Sequence, residues 1–274
     1  MLTLGWFSTA RGPTSRKLLA AAWDEIAAGR LQAQIVVVFC NREPGEDPNT
    51  DIFLEQVRGY GLPLICLSSA RFRREQGAPL ALAGQPLPDW RRDFDREVMR
   101  WLEPYPFDLG VLAGYMLIVT EEMCHRFDLL NLHPAAPGGP KGTWQEVIWQ
   151  LIEAQAQTAG VMMHLATPEV DAGPPVTYCT YPIQGGAFDE LWRQTGGRDL
   201  QEVKASEGES NPLFAEIRRH GVARELPLVV ATLRTFAGGR VRIADKRLLD
   251  ASGRPIQGYD LTEEIERIVA STLG

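Results

Sequence analysis

The feature that most constrains the fold is an alternation of short, almost fully apolar runs with longer amphipathic stretches. Leu2 to Phe7, Ile35 to Phe39, Leu62 to Leu67 and Leu109 to Leu112 are short and apolar, so each reads as a strand buried on both faces. Between them Ser15 to Ala28, Asp51 to Tyr60 and Asp89 to Leu102 carry apolar residues at helical spacing. Strand and helix in strict alternation predict an α/β fold: a Rossmann-like, doubly wound, mainly parallel sheet covered by helices on both faces.

The pattern continues through a strand at Asp128-Leu129-Leu130, a helix over Thr143 to Ala156, and strands at Val161 to Leu165 and Val176 to Pro182. From Gly185 to Asn211 it loosens. Gly196-Gly197 and Glu207 to Ser210 read as mobile loops around short helices, one of them amphipathic through Phe188, Leu191 and Trp192. A long helix is expected from Pro212 to Phe236 with Gly221 as a break, then a turn or hairpin over Leu248 to Tyr259, and a last helix at Leu261 to Val269. The whole chain, 1–274, reads as one domain: a core over 1–183, an insertion over 184–211, and a helical C-terminal part with a hairpin over 212–274.

With 274 residues, 45% of them hydrophobic, the chain can bury a large core. A formal net charge of -7 argues against nucleic-acid or anionic-membrane partners. Cys40, Cys66, Cys124 and Cys179 are scattered without close pairing, as in reduced thiols, and imply neither a disulfide framework nor a metal site. The absence of a basic-then-apolar leader or a membrane-length apolar run points to a cytoplasmic protein.

Two segments suggest chemistry. Asn131-Leu132-His133-Pro134 should emerge at the carboxyl edge of its strand, where open α/β sheets bind ligands, with Asn131 and His133 on one face. Asp171-Ala172-Gly173-Pro174 supplies a carboxylate. An amide that donates to an oxyanion, an imidazole that carries a proton and a carboxylate that orients or charges it form an acyl-transfer set. His164, in an apolar run, reads as a supporting histidine. The turn Ser8 to Ser15 precedes a helix, and Arg11, Gly12, Thr14 and Ser15 could cradle a phosphate at its amino terminus; an N-cap by Thr14 or Ser15 is the plainer alternative.

Leu112 to Met116, Asn131 to Pro134, Gly160 to Thr167 and Glu169 to Pro174, in that order and spacing, resemble the folate-dependent formyltransferase family, and the similarity extends to Gln257-Gly258-Tyr259. The resemblance implies formyl transfer from 10-formyltetrahydrofolate as co-substrate to an amine, without a metal, through Asn131, His133 and Asp171. It places the folate pterin against Met116, Leu117 and Val119 on one side and Ala166, Thr167 and Asp171 on the other. Glycinamide ribonucleotide is the favoured acceptor it implies, a small phosphate-bearing amine, with Arg218, Arg219, Arg224 and Glu225 in the region that meets the ribose phosphate; a homodimer is left open.

Departures are visible. Arg11 and Pro13 replace a loop that is usually richer in glycine and serine, Leu117 stands where a basic residue is common, and Trp144 where histidine is frequent. Another amine acceptor, such as an amino-sugar nucleotide, or water, as in a formyltetrahydrofolate hydrolase, therefore stays open. Similar hydrolases carry an extra amino-terminal domain, whereas here the first strand begins at Leu2; a methionyl-tRNA formyltransferase would carry a further basic domain. A catalytically dead folate-binding protein would not need all three polar groups.

Overall fold

The computed structural model describes residues 1–80 and 85–273. In chain order they form β1 (Leu2–Ser8), α1 (Pro13–Ala27), β2 (Ala33–Cys40), α2 (Pro48–Gly59), β3 (Leu64–Cys66), α3 (Ser69–Glu75), α4 (Asp89–Leu102), β4 (Leu109–Leu112), α5 (Glu121–Arg126), β5 (Leu129–His133), α6 (Trp144–Glu153), β6 (Thr158–Leu165) and β7 (Pro175–Pro182). There follow α7 (Ala187–Thr195), α8 (Leu200–Ser206), α9 (Pro212–Ala237), β8 (Val241–Ala244), β9 (Arg247–Asp250), β10 (Tyr259–Asp260) and α10 (Thr262–Leu273).

Eight strands make one sheet in the order β10-β7-β6-β5-β4-β1-β2-β3. All neighbours are parallel except those of β6, which runs against both β5 and β7. The expected mainly parallel sheet is observed. From β1 the chain winds outward through β2 to β3, then returns to place β4 on the other side of β1. The carboxyl ends of β1 and β4 therefore sit beside each other with their connections diverging, the crevice in which such sheets bind ligands.

Apolar side chains alternate across the strands into two cores. Leu4, Trp6, Val38 and Val111 pack on one face with α1, α2, α6 and α9, while Phe7, Val37, Phe39 and Leu112 pack on the other with Phe94 and Val98 of α4. Gly110 permits this density: a Cβ there would stand 2.3 Å from Leu129 Cδ2. Among the described residues no helix is long and apolar enough to cross a membrane.

Several expectations need correction. α1 starts at Pro13, whose fixed φ and missing N–H suit the first helical position, and its N-cap is Gly12, which has no side chain to cap with. Thr14 and Ser15 are thus inside the helix. α9 runs unbroken through Gly221, whose missing Cβ lets the helix approach Tyr181 Oη, 3.1 Å from where that Cβ would be. The turn expected over Leu248 to Tyr259 is present, with Leu249 bridging Pro255, and a further hairpin, β8–β9, precedes it; there Asp245 (φ 49) and Lys246 (φ 58) supply the two left-handed residues that a tight hairpin turn requires. In the 185–211 region two short helices, α7 and α8, flank the Gly196-Gly197 loop. Glu207 to Ser210, expected as a mobile loop, contains a 3-10 turn, and Glu207 accepts hydrogen bonds from Arg198 and from Asn211, which in turn caps α9.

Candidate active site

Alternation along β5 turns Asn131 and His133 to one face, and antiparallel pairing sets Asn131 opposite His164 of β6. His133 is 2% exposed. Its Nε2 lies 3.0 Å from the Pro140 carbonyl, which can only accept, so Nε2 carries a hydrogen. Its Nδ1 faces Asp171 Oδ1 at 3.6 Å. His164 is held the same way: Nδ1 donates to the Leu165 carbonyl at 3.1 Å, leaving Nε2 to meet Asn131 Nδ2 at 3.1 Å and Asp171 Oδ1 at 3.6 Å. One hydrogen of the Asn131 amide is engaged by His164, and the other is left for a ligand.

Asp171 reaches this position through a tightly pinned loop. Its own backbone is left-handed, at φ 52. Two residues on, Gly173 passes so close to β6 that a Cβ would lie 1.6 Å from the Leu165 carbonyl oxygen. Burial alone would raise the Asp171 carboxyl, but its contacts with His164 and His133 and a hydrogen bond from the Gly142 amide hold it below the usual carboxylate value. The carboxylate thus bridges two imidazoles, and the structure brings together the three residues singled out in the sequence. His164 contacts both Asn131 and Asp171 directly, closer than the supporting role expected of it.

Beside this cluster, at the switch point, the Gly114 to Thr120 segment carries the residues proposed for the pterin. It has no regular structure and is tied inward at a few points: Met116 N–H donates to Thr9 Oγ1 (2.8 Å), the Ile118 carbonyl accepts from Arg91 (2.8 Å), and Thr120 N–H donates to Asp95 (2.9 Å). Between these ties, the N–H and C=O of Leu117 and the N–H of Val119 have no partner among the described residues. Met116 is exposed, Leu117 half-buried, and Val119 buried. Across from them Ala166 N–H donates to the Leu129 carbonyl, and Thr167 Oγ1 to the Glu169 carbonyl.

The β1–α1 turn adjoins this segment. Thr9 N–H donates to the Gly114 carbonyl, and Thr50 Oγ1 donates to the Ala10 carbonyl. Of the four phosphate candidates, Arg11 and Thr14 are exposed, Gly12 is half-buried, and Ser15 is buried against Gly114. Ser15 thus packs two loops together, with Gly114 (φ +69) supplying the space.

The charged residues of α9 are mostly matched internally. Arg224 is buried, forms a two-point pair with Glu266 (2.6 and 2.8 Å) and stacks on Tyr181 at 4.3 Å. Glu225 takes Arg218, which covers Trp144 at 4.5 Å, and Arg219 pairs with Glu216. α8 contributes Lys204 to a cleft of about 540 Å³ that also meets Lys141, Glu146, Gln150, Glu153 and Asp171. Sequence reasoning placed Gly142 and Gly173 in their loops without giving either a role, and passed over Arg91 and Asp95. The last two carried one visible signal, opposite charges four apart on a predicted helix.

The formyl transferase family model matches residues 14–187. Phosphoribosylglycinamide formyltransferase of Escherichia coli K12 is 24% identical over 249 residues, covering 89% of this chain and 94% of that protein. Among solved structures, glycinamide ribonucleotide transformylase 1 from Symbiobacterium toebii superposes with a TM-score of 0.61 at 24% identity, covering 90% of this chain and 93% of its own. Phosphoribosylglycinamide formyltransferase from Coxiella burnetii gives 0.64 at 19%, covering 94% and 98%. The family model spans β4 through β7, the part of the chain that holds Asn131, His133 and Asp171, and on that match the chain belongs to the formyl transferase family.

Proposed function

We propose that this enzyme transfers the formyl group of 10-formyltetrahydrofolate to the amine of glycinamide ribonucleotide, a step of purine biosynthesis. The observation that carries the reading is the Asn131, His133, Asp171 cluster beside a segment with unpaired backbone groups. A flat heterocycle needs stacking area and paired hydrogen bonds, and the Leu117 and Val119 backbone with the flanking Ala166 and Thr167 fits that need.

When bound, the folate supplies an activated formyl carbon to the attacking amine: as the new carbon–nitrogen bond forms, the bond from that carbon to the folate N10 breaks, and N10 gains a proton in place of the one the amine loses. Asn131 donates its second amide hydrogen to the oxygen on which negative charge develops, and His133 in its doubly protonated form stabilises the same charge. Asp171 faces His133 Nδ1 at 3.6 Å, orients the ring, and takes the amine proton directly or through water. His164 fixes the Asn131 amide and shares the Asp171 carboxylate. Arg11, Gly12 and Thr14 hold the acceptor phosphate at the α1 terminus. The chain acts as one domain, with 1–183 as core, 184–211 as an insertion and 212–274 completing the body.

The test is incubation with 10-formyltetrahydrofolate and a panel of amines, read by product mass. Formylated glycinamide ribonucleotide formed faster than any other product is expected. Preference for an amino-sugar nucleotide, or formate release without an amine, would overturn the acceptor assignment.

A further inference from the structure

Arg91 and Asp95 are each 1% exposed, and they form an ion pair of 3.1 Å within α4. Arg91 is flanked by the rings of Trp90 and Phe94, its guanidinium carbon 5.1 and 5.3 Å from their centroids. A charged pair so far from water gains little net stability, and apolar side chains of similar volume often do as well. What the pair does hold is the irregular segment above it. Arg91 Nη2 donates to the Ile118 carbonyl, and Asp95 accepts from Thr120 N–H.

The peptide between Ile118 and Val119 is trans, as are all others among the described residues. In a trans peptide the C=O and the following N–H point in opposite directions. By drawing the Ile118 carbonyl inward to α4, Arg91 turns the Val119 N–H outward, away from the core. That amide is one of the backbone groups left without a partner among the described residues. Asp95 fixes the next peptide through Thr120, so the plane cannot rotate freely.

We infer that Arg91 and Asp95 are positioning residues for the formyl donor, setting the Ile118–Val119 peptide so that the Val119 amide is presented to the donor's heterocycle. This rests on the proposed placement of the folate. The pair never touches the reacting atoms and acts through the backbone alone.

The experiment uses the full chain with tetrahydrofolate as probe, measuring Kd by calorimetry and exchange of the Val119 amide by nuclear magnetic resonance. In wild type, tetrahydrofolate should slow exchange at Val119. The double variant Arg91→Met with Asp95→Leu, which leaves no unpaired buried charge, should keep a cooperative melt, raise the Kd about tenfold or more, the scale of one lost directed hydrogen bond, and lose the Val119 protection. The acceptor KM should stay within about twofold, because an interaction confined to the donor does not enter it. Arg91→Lys, which keeps the charge with one compact donor, should fall between wild type and double variant. A folded double variant with wild-type Kd and Val119 protection overturns this inference and leaves the folate site standing, whereas wild-type protein that does not bind tetrahydrofolate overturns both. Should the double variant not fold, Arg91→Lys with an unchanged Kd overturns the assignment.

Discussion

The edge of β5 and β6 and the turn between β1 and α1 lie on the same side of one sheet but are built in opposite ways. At the first, His133 and His164 are each 2% exposed, each has one ring nitrogen committed to a carbonyl, and Asp171 sits between them. At the second, Arg11 and Thr14 are exposed, and neither side chain makes a hydrogen bond or ion pair with any described residue. Groups that stabilise a fleeting charge must already be oriented when it appears, or the reaction itself must bear the reorganisation. Groups that capture an anion from water can stay solvated until it arrives. The contrast separates chemistry from recognition, and each region should fail in its own way when altered.

The largest effect is expected at the first region. His133→Ala or Asp171→Ala should lower turnover by about a hundredfold or more, the scale of a positioned acid–base group, with little change in donor binding. Steady-state rates with circular dichroism check this, and wild-type turnover in either folded variant would remove the assigned roles. Gly173→Ala comes next. The added Cβ meets the Leu165 carbonyl and must push the 171–174 loop away from β6. Misplacing Asp171 by about 1 Å should cost roughly ten- to a hundredfold in turnover while every catalytic side chain remains present. Undiminished rates in this variant would mean that the loop relaxes without moving the carboxylate.

At the second region the parameter that moves should change. Arg11→Ala should raise the acceptor KM by about tenfold, the value of a charge-assisted contact of 1 to 2 kcal/mol, and leave kcat within about twofold. Added salt should weaken wild-type binding in the same direction and the variant less. A fall in kcat with unchanged KM would erase the distinction between the two regions. The smallest effect concerns pH. Because the Asp171 carboxyl is lower in the fold than in the open chain, its ionised form stabilises the fold above the usual carboxylate range, about pH 4, and this contribution fades as pH falls through the folded value. Thermal melts between pH 6 and pH 3 should therefore lose Tm more steeply for wild type than for Asp171→Asn, by about a few degrees. Parallel curves would show that the carboxylate is not linked to folding.

Much of the fold was legible because burial on both faces leaves a local mark. β1, β2, β4 and β5 are runs such as Leu-Gly-Val-Leu that water would not tolerate exposed, and the helices between them carry apolar residues at their own period. Asn131 and His133 were legible for the same reason, since a strand's twofold alternation states which side chains share a face. Boundaries were weaker. The Asp245-Lys246 turn depends on left-handed backbone angles that neither residue type requires.

By itself the sequence determined an α/β chain, the strand bearing Asn131 and His133, and the carboxylate that follows it. The tertiary structure alone decided that β6 runs antiparallel to β5, and so that His164 meets both Asn131 and Asp171. It also decided that Arg224 is spent on Glu266, that Ser15 lies under Gly114, and that Arg91 and Asp95 grip the 118–120 backbone. The physical reason is range. Strand and helix periodicity arise from neighbours within a few residues, whereas a hydrogen bond between Asn131 and His164, 33 positions apart, exists only once the sheet order and register bring the two strands together.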